Sequence, residues 1–258
     1  MEIKWAVITG ATSGIGCAVS RKLAPLGYNL IISGRRQDRL QELKAELEKA
    51  FPIKVEVVSI DLGSPQSCET LFARAYSVSP SIDLLVNNAG FGLNAEFLDE
   101  DLGAQLKMID LNVSSLTRLS HLFGNRMKQR QKGMIVHTAS MGGFAPTPYY
   151  AVYGATKAYV ISFSESLAEE LRKHHVHVIT LCPGATETEF AKVSGFKRNI
   201  PSSLLQSADQ VAEALILELK KECSTLLIPG TANRISRFLL RMIPHKMATS
   251  LSAKNLRP

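Results

Sequence analysis

The sequence contains few cysteines and histidines, the residues that form disulfides in small proteins and bind metal ions. Its 258 residues include four cysteines and six histidines, and the cysteines show no CxxC or zinc-ligand spacing. A chain of this length buries enough apolar surface to fold without disulfides. We therefore expect free thiols, no metal site and a reducing compartment. The cysteines are Cys17, Cys68, Cys182 and Cys223.

Long apolar runs are missing as well. No stretch reaches the roughly 18 apolar residues that a membrane-spanning helix needs. The N-terminal residues MEIKWAVITG enter a short apolar run without the charged region and cleavage site of a signal peptide. Together with the unpaired cysteines, this predicts a cytoplasmic protein.

Acidic residues are absent from the C-terminal segment Thr231–Pro258, which holds six of the 30 lysines and arginines. The remaining 24 basic residues face 23 acidic ones, so the net charge of +7 belongs almost entirely to this segment. No zinc-finger, RNP or basic-zipper pattern accompanies the charge, and we expect no nucleic-acid partner.

The same segment predicts a basic amphipathic helix. Apolar residues recur at helical spacing, three arginines recur beside them, and Pro244 ends the pattern. In one interpretation the apolar stripe packs on the subunit's own body or across an oligomer interface. In the other it lies on an anionic membrane surface, as a peripheral contact. The stripe is Ile235, Phe238, Leu239, Met242 and Ile243, and the arginines are Arg234, Arg237 and Arg241.

Elsewhere, short apolar runs alternate with stretches of helical period. This alternation is typical of parallel βαβ units. The predicted fold is therefore α/β, with a single Rossmann-type doubly wound parallel sheet and helices on both faces. We expect a catalytic domain over residues 1–230, with a substrate lid at about 184–207, and a C-terminal extension over 231–258. The predicted strands are Ile3–Ile8, Tyr28–Ser33, Val55–Ile60, Leu84–Val86, Met134–Thr138, Val176–Leu181 and Leu226–Ile228, and the predicted helices after the first are Gln37–Ala50, Gln66–Ser77, Asp99–Arg130, Tyr150–His174 and Ala208–Lys221.

A glycine-rich segment, TGATSGIG, follows the first strand and opens the first helix. Glycine permits a tight turn with positive φ and lets the backbone approach a ligand. The N-terminus of the helix adds free N–H groups and a partial positive charge. Gly10, Gly14 and Gly16 therefore predict a pyrophosphate seat for a nucleotide.

The second strand ends in SGRR, at the place where an NAD site carries an acidic residue for the ribose 2′-hydroxyl. Here Gly34 is followed by Arg35 and Arg36. A carboxylate would repel a 2′-phosphate, whereas a guanidinium binds one through two hydrogen bonds. The sequence therefore favours NADP(H) over NAD(H).

Tyr153 and Lys157 stand four residues apart in YGATK, so on a helix their side chains share one face. A free tyrosine has a pKa of about 10, and a neighbouring ammonium lowers that pKa. We expect Lys157 to bring the pKa of Tyr153 toward the working pH, as acid–base catalysis requires.

Five motifs in order resemble the short-chain dehydrogenase/reductase family: TGATSGIG, NNAG at Asn87–Gly90, Ser140, YxxxK at Tyr153, and Cys-Pro-Gly at Cys182–Gly184. The resemblance spans roughly residues 3–188. It implies hydride transfer between NADP(H) and a carbonyl or secondary alcohol. Relatives often carry asparagine at the position of His137 and glycine at that of Ser115, departures that affect local packing rather than chemistry.

The resemblance also implies a role for each catalytic residue. Tyr153 would exchange a proton with the substrate oxygen, Ser140 would bind that oxygen, and Asn112 would hold a water in the proton path. Lys157 would bind the nicotinamide ribose as well. The implied cofactor-binding residues are Gly10, Thr12, Ser13, Gly14, Ile15, Gly16, Arg35, Arg36, Asp61, Asn88, Ala89, Gly90, Tyr153, Lys157, Pro183, Gly184 and Thr188.

A homodimer or homotetramer is implied too, in which the helices of Asn112 and Tyr153 pair with their copies. Tyr159, Phe163 and Leu167 recur along the second helix and could supply the contact. The alternative is that this stripe faces the subunit's own sheet.

The expected substrate is a neutral, hydrophobic carbonyl or alcohol, because the residues near the motifs are apolar or aromatic. Two other functions remain open at this stage. One is a non-catalytic NADP-binding regulatory protein, and the other is an epimerase or dehydratase on the same fold. The expected wall residues are Phe91, Leu93, Met141, Phe144, Tyr149, Phe190 and Phe196.

Overall fold

The computed structural model describes residues 3–196, 205–221 and 225–257. Residues 197–204 of the predicted lid, and Cys223, therefore lie outside the described residues. Over the described residues, seven strands form one parallel sheet, and two short strands, β7 and β8, form another. The strands are β1 (Lys4–Thr9), β2 (Tyr28–Gly34), β3 (Val55–Ser59), β4 (Leu84–Asn87), β5 (Gly133–Thr138), β6 (Val176–Leu181), β7 (Thr186–Glu187), β8 (Gln206–Ser207) and β9 (Leu226–Leu227).

Helices connect the strands and cover both faces of the large sheet. A π-helical turn, Asp110–Ser115, joins the fourth helix to the fifth. The α-helices are α1 (Gly14–Leu23), α2 (Gln37–Ala50), α3 (Pro65–Val78), α4 (Leu102–Ile109), α5 (Leu116–Arg130), α6 (Ala151–Arg172), α7 (Glu189–Val193), α8 (Ala208–Lys221), α9 (Thr231–Met242) and α10 (His245–Leu256).

The strand order of the large sheet is β3-β2-β1-β4-β5-β6-β9. Every neighbouring pair in it is parallel. The chain builds outward from β1 in one direction and then resumes from β1 in the other, through β4. This confirms the predicted doubly wound α/β sheet. In such sheets a ligand cleft opens at the carboxyl ends of the strands, where the direction changes.

The core lies in two layers, one on each face of the sheet. Side chains alternate along a strand, so Ala6 and Ile8 of β1 pack with α1, α2 and α8. Trp5 and Val7 pack on the other face with α3, α5 and α6. Burial on both faces explains why β1 is a continuous apolar run rather than an alternating one.

The prediction of one helix over Asp99–Arg130 is wrong in two places. The helix begins at Leu102, because the Asp101 side chain accepts a hydrogen bond from the Ala104 N–H (2.8 Å) and caps it. The π-helical turn then interrupts it. A second C-terminal helix, α10, was not predicted, since Pro244 looked like an end rather than the residue that precedes a new helix. None of the described helices is both long and apolar enough to cross a membrane.

His137 is fully buried between α5 and α6. One ring nitrogen lies 2.7 Å from the Ser120 hydroxyl and the other 2.7 Å from the Ser164 hydroxyl. Burial lowers the pKa of His137 to about 3. The imidazole ring is therefore neutral, which suits its two partners, because the hydroxyl groups of Ser120 and Ser164 carry no charge.

His137 should make the protein sensitive to mild acid. Its folded pKa lies below its unfolded one, so its contribution is present above about pH 6.5 and is lost as the pH falls toward 3. Between pH 6.5 and 5 the free energy of unfolding should drop by roughly 1–2 kcal/mol from this group. Urea unfolding at both pH values, for wild type and His137→Asn, measures it. Equal pH dependence in the two proteins would contradict the assignment.

Candidate active site

The glycine-rich turn packs closely against the end of β4. Gly10 and Gly14 have φ of +68° and +54°, which side-chain-bearing residues rarely adopt. A Cβ on Gly16 would lie 2.5 Å from the Gly10 carbonyl oxygen. The hydroxyl of Thr9 accepts hydrogen bonds from the N–H groups of Asn88 and Ala89, at 2.9 Å each. These contacts hold the two strand ends side by side.

Helix α1 begins directly after this turn and opens into the cleft. Its N-cap residue, Ser13, makes no side-chain capping bond. The first N–H groups of the helix are therefore free to bind an anion. With the positive-φ glycines, this geometry fits the pyrophosphate of a dinucleotide.

The two arginines after β2 differ in their surroundings. Arg36 donates to Glu189 (2.7 Å) and to the hydroxyls of Thr12 and Ser13 (2.9 Å each). Arg35 is exposed, lines the cleft and makes no side-chain hydrogen bond to any described residue. Of the two arginines predicted to bind a 2′-phosphate, Arg35 is thus the one whose guanidinium makes no hydrogen bond to the described residues.

Glu189, at the start of α7, was not singled out by the sequence. It accepts hydrogen bonds from Arg36 and from Arg39 of α2, each at 2.7 Å. These two guanidinium groups lower the pKa of Glu189 to about 2. The pairing connects α7 to the start of α2 across the rim of the cleft. No local motif could have predicted this pairing, because Glu189 and the two arginines are about 150 residues apart in sequence.

Tyr153, Lys157 and Ser140 face the same cleft from two elements. Tyr153 and Lys157 occupy the first two turns of α6, and Ser140 follows β5. The Lys157 ammonium donates to the Thr138 carbonyl oxygen (2.8 Å) and lies 5.7 Å from the Tyr153 ring centroid. The Ser140 hydroxyl accepts from the Gly142 N–H (3.1 Å), and Ser140 also hydrogen-bonds Tyr153.

The pKa values of this pair differ from the expectation. Burial raises the pKa of Tyr153 to about 12, and the hydrogen bond with Ser140 opposes that shift without overcoming it. Burial also lowers the pKa of Lys157 to about 8. The expected lowering of the tyrosine pKa by Lys157 is wrong for this structure, because desolvation dominates and Lys157 is not among the groups that shift this pKa.

Asn112 lies behind the cleft, in the π-helical turn. Its side chain donates to the Phe91 carbonyl oxygen (2.9 Å) and to the Thr156 hydroxyl (3.1 Å), and it accepts from the Phe91 N–H (3.1 Å). A Cβ on Gly90 would lie 2.8 Å from the Asn112 amide oxygen and 3.5 Å from the Lys157 ammonium. Asn112 therefore holds the irregular segment after β4 close to Lys157. Single π turns of this kind recur at functional sites.

The predicted cofactor-binding residues surround one cleft of about 570 Å³ at the carboxyl ends of the strands. All of them line it except Gly16, which lies beneath the turn. Asp61 lines it from the end of β3 and is exposed. Thr188 caps α7 through the Phe190 N–H (3.2 Å) and packs against Gly14, which brings the two ends of the predicted nucleotide site together.

The wall of the other half of the cleft is apolar. Of the expected residues, Phe91, Met141, Phe190 and Phe196 line it. Three do not: Leu93 and Tyr149 line a small separate pocket, and Phe144 packs under Arg237. The prediction missed several wall residues, of which only the last comes from a segment that was not expected at the site: Tyr150, Val193, Leu205 and Leu256. Among the described residues, no cluster of histidine, cysteine, aspartate and glutamate could hold a metal ion.

Comparison with known proteins gives consistent matches. Residues 4–198 match the family model for short chain dehydrogenase. An uncharacterised oxidoreductase of Staphylococcus epidermidis is 32% identical over 212 residues, covering 82% of this chain and 90% of the relative. A 3-oxoacyl-(acyl-carrier-protein) reductase of Aquifex aeolicus is 31% identical over 226 residues, covering 84% and 91%. A short-chain dehydrogenase from Sphingobium yanoikuyae, solved in complex with NADPH, aligns with a TM-score of 0.83 at 29% identity, covering 94% of this chain and 97% of that one.

The fold and the cleft thus define a dinucleotide-dependent oxidoreductase. The chain belongs to the short-chain dehydrogenase/reductase family. It acts on a carbonyl or alcohol group with NAD(P)H, as the family does.

Proposed function

We propose that this protein is an NADP(H)-dependent reductase of a neutral, hydrophobic carbonyl compound. One observation carries the proposal: Ser140, Tyr153 and Lys157 face the apolar half of a cleft that has an unengaged guanidinium, Arg35, at its other end. The apolar half of the cleft therefore suits a hydrophobic carbonyl compound, and the end with Arg35 suits the phosphate groups of the cofactor.

The preference for NADP(H) rests on Arg35. Arg36 is already hydrogen-bonded to Glu189 and the glycine-rich turn, whereas Arg35 has donors to offer to a 2′-phosphate. No carboxylate follows β2 directly, so nothing there is placed to bind the 2′-hydroxyl of NAD(H). Arg35 is thus proposed as the residue that selects the cofactor.

The proposed chemistry is a hydride transfer coupled to a proton transfer. The nicotinamide, when bound, supplies the hydride. Tyr153, with its pKa raised to about 12, stays protonated at neutral pH and donates its proton to the substrate oxygen. Ser140 hydrogen-bonds the same oxygen and stabilises the negative charge that develops on it. A protonated phenol is the form that donates a proton when a carbonyl is reduced.

Lys157 and Asn112 are proposed to support that proton transfer. The Lys157 ammonium is held by the Thr138 carbonyl oxygen and leaves donors for the nicotinamide ribose. Asn112 holds Phe91 and Gly90 against Lys157, and so fixes the path behind it. Removing either should change the rate more than the fold.

The substrate is proposed to be hydrophobic because the walls near Tyr153 are aromatic and aliphatic. The relative from Aquifex aeolicus is named for reduction of a 3-oxoacyl group, which is a carbonyl on an apolar chain. We propose ketones and 3-oxoacyl thioesters as the first compounds to assay.

Loss of NADPH absorbance at 340 nm, followed against a panel of carbonyl compounds of graded hydrophobicity, tests the proposal. Activity should rise with the apolar surface of the substrate and be greater with NADPH than with NADH. A protein that binds NADPH but turns over no member of the panel would be a regulatory protein instead. Isomerised or dehydrated product without net NADPH consumption would indicate an epimerase or dehydratase.

We expect a homo-oligomer that pairs the α4–α6 side of two subunits. Leu102, Leu106 and Tyr159 are exposed on this side, whereas Phe163 and Leu167 are half-buried against the subunit's own cores. Leu106→Asp should dissociate the oligomer, because it would bury an unpaired carboxylate. Sedimentation at micromolar concentration measures this, with Phe238→Asp on α9 as the control. A wild-type particle of 28.2 kDa would contradict the expectation.

A further inference from the structure

Helix α9 is oriented with its apolar side toward solvent. Ile235, Phe238, Leu239 and Met242, hereafter the outer face, have exposed fractions of 55%, 64%, 55% and 70%. The half-buried residues of the same helix are Asn233, Arg237 and Leu240, which lie on its opposite side. The interpretation that the stripe packs on the subunit's own body is therefore wrong for these four residues.

Specific bonds hold the helix in this orientation. Asn233 donates to the Pro229 carbonyl oxygen and to the Gln206 side chain, both at 2.8 Å. Arg237 lies over the ring of Phe144, 4.9 Å from its centroid. Turning the outer face inward would break these contacts. The orientation thus belongs to the fold itself.

The surroundings of the outer face are positively charged. Arg234 and Arg241 are exposed on the same helix, and Lys246 is exposed at the start of α10. The segment 231–258 has no acidic residue to neutralise them. An apolar stripe flanked by arginines matches an anionic lipid surface, where acyl chains receive the stripe and headgroups receive the cations.

The same segment leads to the cleft. Helix α10 exposes Met247 and Leu251 and ends at Leu256, which lines the cleft. The Leu256 carbonyl oxygen accepts a hydrogen bond from Asn94 (3.0 Å). The chain that carries the outer face therefore also forms part of the substrate wall.

We propose that the outer face of α9 docks on an anionic lipid surface and that the hydrophobic substrate enters the cleft from that surface. The second half of this statement rests on the proposed function, and the first does not. A second copy of the chain is the less suitable occupant. A symmetric contact through this face would bring Arg234 and Arg241 close to their own copies, with no acidic residue in the segment to offset the repulsion.

Flotation of the full chain tests the docking, using vesicles of phosphatidylcholine with 30% phosphatidylserine and vesicles of phosphatidylcholine alone. At low salt the protein should float with the anionic vesicles and much less with the neutral ones, and high salt should weaken the binding. Phe238→Asp should reduce the bound fraction at least tenfold. Leu217→Asp is the matched control, because Leu217 is exposed on α8 (53%) and should float like wild type.

A second variant separates charge from apolar contact. Arg234→Ser with Arg241→Ser should weaken binding by about fivefold for each arginine. Circular dichroism and thermal unfolding confirm that these solvent-facing substitutions leave the fold intact. Tyr153→Phe should float like wild type, so failure of the proposed function leaves this result unaffected.

Three outcomes would overturn the proposal. One is that wild type ignores anionic vesicles at low salt. Another is that Phe238→Asp and Leu217→Asp float equally well. The third is that Phe238→Asp lowers the sedimenting mass and leaves flotation unchanged, which would assign the outer face to a second copy of the chain. For the entry route, a vesicle-dissolved ketone should be reduced more slowly by Phe238→Asp, with no change for a water-soluble ketone.

Discussion

Tyr153→Phe should lower kcat for carbonyl reduction by about 10²–10⁴-fold, the usual contribution of a positioned acid. The substitution removes only the hydroxyl that hydrogen-bonds Ser140 and would protonate the substrate oxygen. Affinity for NADPH should change little, since the phosphates and rings bind elsewhere in the cleft. Stopped-flow hydride transfer and fluorescence titration of NADPH measure the two effects separately.

Tyr159→Phe is the matched control for this experiment. It is the same substitution on the same helix, but the Tyr159 hydroxyl bonds Thr117 (2.9 Å) at the surface, away from the cleft. Its kcat should stay within about twofold of wild type. If Tyr153→Phe keeps a tenth or more of the activity, Tyr153 is not the proton donor.

Arg35→Asp should lower the ratio of kcat/KM for NADPH to that for NADH by about 100-fold, on the order of 3 kcal/mol. Two changes act together: the loss of paired hydrogen bonds to the 2′-phosphate and a new repulsion from the carboxylate. The same carboxylate would be placed to accept a hydrogen bond from the 2′-hydroxyl of NADH, so activity with NADH should rise.

Arg39→Asp serves as the control, because it makes the same charge change one turn further along the chain. Arg39 is exposed and bonds Glu189, and it does not line the cleft. Its cofactor ratio should stay near that of wild type. An unchanged ratio in Arg35→Asp would refute the assignment and transfer the role to Arg36.

The sequence predicted the features that depend on neighbours along the chain. Strand positions, the glycine turn and the YxxxK pair follow from local periodicity and spacing, and each predicted strand lies within two residues of an observed one. The wall residue Leu256 was missed because only tertiary contacts bring the end of α10 to the cleft, whereas Tyr150 stands three residues before Tyr153 and local spacing could have indicated it. The direction of the Tyr153 pKa shift was wrong for a related reason, since the cost of desolvation depends on the whole enclosure and a single neighbour was visible.

In the C-terminal segment, the sequence predicted the helix but not the orientation of its apolar face. The spacing of Ile235, Phe238, Leu239 and Met242 predicted a helix with an apolar stripe, and α9 has it. Periodicity gives the side of a helix on which a stripe lies, but not whether that side faces the core. The orientation follows from Asn233, whose bond to Gln206 joins residues 27 positions apart that no local pattern connects.

The pairing of Glu189 with Arg36 and Arg39 has a consequence for the kinetics of cofactor exchange. It joins α7 to the start of α2 at the rim of the cleft, so we expect a dinucleotide bound there to leave faster when these ion pairs are broken. Both pairs are about 40% exposed, and such pairs contribute little stability in water. These ion pairs should therefore part readily, and since salt screens exposed charges, we expect the rate of cofactor release to rise with ionic strength.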